Sequence, residues 1–224
     1  MKVKSFLAMA LMALLATGCS DDDDPVEKVP SSEGVKEMTV STADYSVWTY
    51  INLKTGETQT ATVEGPWKYI GGEDGNEVLE EKNPEIQGSV PAEWDLAFHY
   101  YEIRTNGGQA LATNVKNLAE VTELPATGWE SDVTVKAEDQ NIIVDMKNMM
   151  KGSVGYAGGL VNPALCKWVT KTPTGSMPPT IYTVTDNVYL VKMANGNWAK
   201  LKFLDKLDGN GKKAIKFSYE YMAK

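Results

Sequence analysis

From residue 45 to the C-terminus the chain alternates apolar and polar side chains in short runs, each cut by a turn built on Gly, Asn or Asp. A period of two belongs to strands whose two faces meet different surroundings, and helices need a period near 3.6. Residues 45–53 and 58–63 flank Lys54-Thr55-Gly56-Glu57, which predicts a hairpin. Residues 71–75 form a flexible turn, residues 94–100 a strand turned by Asn106-Gly107-Gly108, and residues 141–146 a short apolar strand. In the last third, residues 187–193, 198–204 and 214–221 are separated by turns at 194–197 and 208–211. Lysines on one face and aromatics on the other predict an antiparallel meander in which each strand buries one side. Residues 163–168 are the one helix candidate, with Asn162 as its cap. The expected class is all-β and antiparallel, with at most one or two short helices.

The N-terminal end has another logic. Lys2 and Lys4 precede an apolar stretch at 6–16, which is too short to span a membrane. The stretch closes on Leu15-Ala16-Thr17-Gly18-Cys19, which resembles a lipobox, where bacteria attach diacylglycerol to the thiol and cleave before it. Residues 1–18 are expected to be a lipoprotein signal peptide, and Cys19 the lipidated first residue. Asp21, Asp22, Asp23 and Asp24 follow. Four like charges in a row stay solvated, and the run also resembles the acidic export signal of Bacteroidota outer-membrane lipoproteins. Residues 19–37 are expected to form an acidic, disordered tether, and 38–224 a single β domain. The expected location is the outer membrane, lipid-anchored and facing outward.

Removing residues 1–18 takes away two lysines, leaving 20 basic against 30 acidic residues and a charge of −10. Such a surface repels phosphate backbones, which argues against a nucleic-acid partner. After lipidation of Cys19, Cys166 is the lone thiol, so no internal disulfide is available, and burial as a small hydrophobe is expected. The single histidine, His99, excludes His-rich metal sites. There is no phosphate loop, dinucleotide fingerprint or nucleophile elbow, so an enzyme is not expected.

Three stretches resemble the HmuY family of haemophore lipoproteins: W-D-L-A-F-H-Y-Y-E-I-R-T-N-G-G at 94–108, G-L-V-N-P-A-L-C-K-W-V at 159–169 with the G-S-M-P-P loop at 175–179, and N-V-Y-L-V-K-M-A-N-G-N-W-A-K-L-K-F at 187–203. The resemblance implies protruding β-fingers around a cleft for non-covalent b-type haem. It also implies capture from host haem-carrying proteins and delivery to an outer-membrane haem receptor. Two axial side chains from separate loops would hold the iron. His99 lies in neither loop, so this chain is expected to be of the methionine type, since thioether sulfur is a soft iron ligand. Met177, held extended before Pro178-Pro179, is the first candidate. The second comes from Met150, Met149 and Met146, in that order of preference. A continued strand would put Met146 and Met150 on one face, and a helical turn would bring all three together. Tyr156 and Trp168 are possible haem-flanking residues. No metal other than haem iron is implied. The alternative is a surface adhesion or glycan-binding lipoprotein of the same fold without haem, and exposed tryptophans would mark the glycan-binding form.

Overall fold

A computed structural model describes residues 27–28, 32–140, 143–176, 180–209 and 212–224. Residues 1–18, Cys19 and the aspartate run lie outside the described residues. The described chain is strands joined by turns, all paired antiparallel, with four single 3-10 turns and no α-helix among the described residues. None of its helical pieces is long and apolar enough to cross a membrane.

The central layer is a four-stranded sheet in the order Thr58–Thr62, Val47–Ile51, Leu96–His99, Glu102–Thr105. The predicted 45–63 hairpin is its first half, with Val47 opposite Thr62 and Ile51 opposite Thr58. All residues of Val47–Ile51, Leu96–His99 and Glu102–Thr105 are buried, because each face is covered by another layer. On one side lies a six-stranded sheet ordered Glu130–Ser131, Gln109–Ala112, Val188–Lys192, Trp198–Gly209, Lys212–Met222, Val35–Ser41. Leu96, Phe98 and Ile103 pack there against Leu201, Phe203, Phe217 and Tyr219, with Phe98 stacked on Phe217 at 5.4 Å. The other side carries Trp48, Tyr50 and Ala97, which pack under Trp67, Val135, Ile143 and Val161. That layer includes the sheet Val144–Asp145, Ser153–Tyr156, Trp67–Gly71, Glu77–Lys82.

Three sequence expectations need correction. The 94–108 stretch turns earlier than Asn106: Leu96–His99 and Glu102–Thr105 pair across a two-residue bend at Tyr100 and Tyr101. The fold also begins inside the expected 19–37 tether. Val35–Ser41 pairs with Lys212–Met222, and Glu27–Lys28 pairs with Glu123–Leu124. Val35–Ser41 buries only Val40 fully, so its polar, edge-strand sequence looks like linker. Finally, the meander is not one-sided throughout. Leu118, Val121 and Leu124 cross the outer face of the large sheet and cover Val188, Leu190 and Trp198. Lys200, solvent-facing by alternation, is buried there, with its ammonium 3.0 Å from Glu220 and 3.2 Å from the Leu118 carbonyl.

Residues 163–168 do form a helical piece, the 3-10 turn Leu165–Trp168. Asn162 caps it by accepting the Leu165 N–H at 3.1 Å, while its own amide donates to Asp132 and to the Glu130 carbonyl.

The Phe98–Phe217 stack sits where the two main sheets meet. Phe98→Ala should cost about 3–5 kcal/mol in urea unfolding. Leu204→Ser, at an exposed outer position, should change stability by less than about 0.5 kcal/mol. Similar midpoints for the two variants would show that this contact does not anchor the core.

Candidate functional site

The bend at Tyr100 and Tyr101 is where the fold becomes a site. A two-residue hairpin bend usually needs a positive φ, normally supplied by Gly or Asn. Here Tyr100 takes it, at φ +51°, at a cost of about 1–2 kcal/mol. In return, the bend holds two phenol rings at the edge of the core. Tyr100 and Tyr101 lie 4.0 Å apart between centroids, Tyr101 and Tyr182 4.3 Å, and Tyr45 and Tyr100 5.2 Å.

Two adjoining clefts, of about 370 and 320 Å³, open around these rings. Tyr100, Met146, Thr180 and Tyr182 line both. Each volume lies in the range of small-molecule sites. One wall is a two-stranded finger, Val169–Pro173 paired with Thr180–Val184. The opposite wall is the segment from Val144 to the 3-10 turn Met149–Lys151. The third side of the larger cleft is the inner face of the long hairpin Trp198–Gly209/Lys212–Met222, through Lys206, Asp208 and Lys213. A register shift between Phe203 and Asp205 changes which residues face inward. Before it, Leu201 and Phe203 point into the core. After it, Lys206 and Asp208 face the cleft, and Leu204 and Leu207 lie on the outside.

The methionine segment settles the open choice between strand and turn. The Met149 N–H donates to the Met146 carbonyl at 3.1 Å, and Gly152 ends the turn at φ +85°. In 3-10 geometry i and i+3 are eclipsed, which brings Met146 and Met149 to one cleft. Met150 is 83% exposed and lines neither cleft. Of the three methionines, Met146 and Met149 line a cleft and Met150, the first preference from sequence, does not. Met177, in the loop closing the finger, lies outside the described residues. Tyr156 is half-buried and lines the smaller cleft. Trp168 lines neither: it is fully buried, its indole N–H donates to the Tyr101 carbonyl at 2.8 Å, and its ring packs on Phe203.

The floor of the smaller cleft is polar at one point. Glu102 sits 3.9 Å from the Lys171 ammonium and 3.5 Å from His99 Nδ1. His99 is itself buried between Trp48 and Trp67, and its Nε2 donates to the Tyr45 carbonyl at 2.8 Å, which fixes its role as structural support behind the cleft. Cys166 is partly buried, and burial pushes its thiol up to about 12. It is therefore a poor nucleophile at neutral pH. No three His, Cys, Asp or Glu side chains gather to hold a metal ion among the described residues.

Sequence reasoning missed Tyr100, Tyr182 and the three cleft lysines, Lys171, Lys206 and Lys213. The usable signal was the Tyr100-Tyr101 doublet, two bulky rings in succession where alternation should place only one inward. The lysines gave none: Lys206 faces the cleft only because of the register shift, and Lys171 and Lys213 reach it only once the finger and the long hairpin stand around the tyrosines.

The fold is a three-layer antiparallel β structure with a two-stranded finger standing over a paired cleft. Residues 44–221 match the HmuY protein family, and the chain belongs to that family. A Tannerella forsythia apo HmuY analog is 30% identical over 86% of this chain and 99% of its own, with a TM-score of 0.69. Apo PinO from Porphyromonas gingivitis is 30% identical over 85% of this chain and 98% of its own, with a TM-score of 0.70. A Bacteroides vulgatus protein described as HmuY-like and haem-binding is 23% identical over 89% and 99%, with a TM-score of 0.65, and supports the fold alone. No curated protein matches the chain.

Burial penalises the phenolate, so the cleft tyrosines hold their protons to higher pH than free tyrosine. Tyr101 is pushed up to about 12, and Tyr100 and Tyr182 are raised for the same reason. An unfolded chain releases these protons near pH 10, whereas the folded protein holds them. Their contribution to stability is therefore complete below about pH 10 and is lost as pH rises through the folded values. Urea midpoints should fall between about pH 9 and pH 11, and less so in Tyr101→Phe. Equal losses in wild type and variant would assign the effect elsewhere.

Proposed function

We propose that this protein is a surface lipoprotein that captures haem and passes it to an outer-membrane haem receptor. In this reading residues 1–18 direct export, Cys19 carries the lipid, and the acidic run sends the chain to the outer face of the outer membrane. Host haem-carrying proteins are the source of the haem. The protein binds and delivers, and no catalytic step is needed.

The observation that carries the reading is the paired cleft itself. It lies between aromatic rings, under a finger whose closing loop contains Met177, and two thioethers from the facing segment line it. The residues suit a porphyrin in three ways. Tyr100, Tyr182 and Tyr156 offer ring faces for an apolar macrocycle. Met146 and Met149 present soft sulfur at the opposite wall. His99, the only histidine, is held behind the cleft, so a bis-histidine arrangement is unavailable. Met177 is the proposed ligand from the finger. Met149 is the proposed second ligand, since it lines the larger cleft without packing against the core as Met146 does. Met150, on the same turn, is the comparison. Thioether pairs favour the ferrous state, so reduced haem should bind more tightly than oxidised haem.

The glycan-binding alternative draws less support. Trp48, Trp67, Trp168 and Trp198 are buried, and Trp94 and Trp129 are half-buried, so none stands open as a platform for a sugar ring.

Haem titration of the purified protein, with and without dithionite, tests this reading. A Soret shift is expected, larger and tighter under reduction. Met177→Ala and Met149→Ala should each alter it and weaken binding at least roughly tenfold, and Met150→Ala should not. No shift in either redox state, or spectra unchanged by both Met177→Ala and Met149→Ala, would overturn the proposal.

A further inference from the structure

Three lysines reach the paired cleft, and two are already matched with carboxylates. Lys171 faces Glu102 at 3.9 Å, and Lys206 faces Asp208 at 3.7 Å. Lys213 is different. In the hairpin register its cross-strand partner is Asp208, the position from which an acid normally pairs with it. Asp208 is instead within ion-pair distance of Lys206, and no carboxylate pairs with Lys213 among the described residues. Its ammonium is held by aromatic groups, lying 4.7 Å from the Tyr45 ring centroid and 4.5 Å from that of Tyr100, and hydrogen-bonded to the Tyr45 hydroxyl.

An ammonium so placed is half-buried, fixed in direction and without a carboxylate at ion-pair distance among the described residues, its nearest acid, Asp208, being turned to Lys206. Its burial favours the neutral amine and outweighs the opposing field of Asp208 across the strands, so its ionisation lies below the usual lysine value. A cation kept in that state at the wall of a mostly apolar cleft has strong reason to bind an acid brought by the ligand, since a charge-assisted hydrogen bond strengthens when water is excluded. Cation–π contact with two rings holds the charge in place beforehand, which lowers the ordering cost when a ligand arrives. Tyr100 links this lysine to the rest of the site, being at once its ring partner and a wall of both clefts.

We propose that Lys213 is a specificity-determining residue that reads a carboxylate on the bound ligand. Resting on the haem reading above, the group recognised is a propionate, and the cleft distinguishes acid tetrapyrroles from their neutral esters. Lys206 stays matched to Asp208 and does not substitute for it. The macrocycle is thereby oriented with an acid edge toward the long hairpin.

The test compares ferrous haem with ferrous haem dimethyl ester on the full chain, by Soret titration. Wild type should bind the free acid roughly tenfold more tightly than the ester. In Lys213→Met that ratio should fall to about one, chiefly through weaker binding of the acid, and Lys213→Arg should retain most of it. Because the ester's solubility acts equally on every variant, the change in the ratio is the readout. The wild-type comparison stands even if a variant folds poorly, which thermal melts would reveal. A ratio near one in wild type, or an unchanged ratio in Lys213→Met, overturns the assignment of Lys213 and leaves haem binding intact. Failure of wild type to bind either tetrapyrrole overturns the haem reading and this inference with it.

Discussion

Along its inner strands the four-stranded sheet of Thr58–Thr62, Val47–Ile51, Leu96–His99 and Glu102–Thr105 shows neither face to solvent, and this double burial dictates what its polar residues must do. A buried charge is tolerated when paired and hydrogen-bonded. Arg104 makes a two-pronged contact with Glu64, 2.8 Å on each side, donates to the Tyr50 hydroxyl and lies 4.6 Å from the Trp48 ring centroid. Thr105 is held by Asp132 through both its N–H and its hydroxyl. His99 and Glu102 face each other across 3.5 Å with no other partner for His99 Nδ1 or Glu102 Oε2 among the described residues. The sheet is thus rigid at its centre, and its far end, where Glu102 meets the cleft, inherits that rigidity.

That rigidity makes the strained bend at Tyr100 tolerable. A left-handed tyrosine survives only where its surroundings over-determine it. Here the strands on either side are locked and the rings of Tyr45, Tyr101 and Tyr182 enclose the side chain. The bend carries the order of the core outward into the cleft, so the aromatic wall is set before any ligand arrives. The finger rests on the same ring cluster through Tyr182, which connects its base to the core.

The long hairpin contributes by a different device. One irregularity after Phe203 exchanges inside for outside over the rest of the strand, ending the apolar core and beginning a charged surface within the same sheet face. Without that shift Asp205 and Leu207 would face inward and Lys206 and Asp208 outward, leaving Lys213 and Lys171 as the cations of the clefts.

The class of the fold is written in the local pattern of the chain. Alternation and turn residues specify the 45–63 hairpin and the terminal meander, because period-two patterning is local and each strand carries its own share of it. The match over 94–108, 159–169 and 187–203 was also legible as family likeness, and Asn162 as a cap, since these need only near neighbours. Other features were decided by tertiary structure. Val35–Ser41 becomes a strand because Lys212–Met222 offers an open edge, and Lys200 is buried because the segment through Leu118 crosses over it. Met149 rather than Met150 reaches the cleft because the chain takes a 3-10 turn there, and Lys206 faces the cleft because a bulge in its own strand resets the register. Each depends on contact between residues far apart in the chain or on a one-residue phase change, and a local pattern encodes neither.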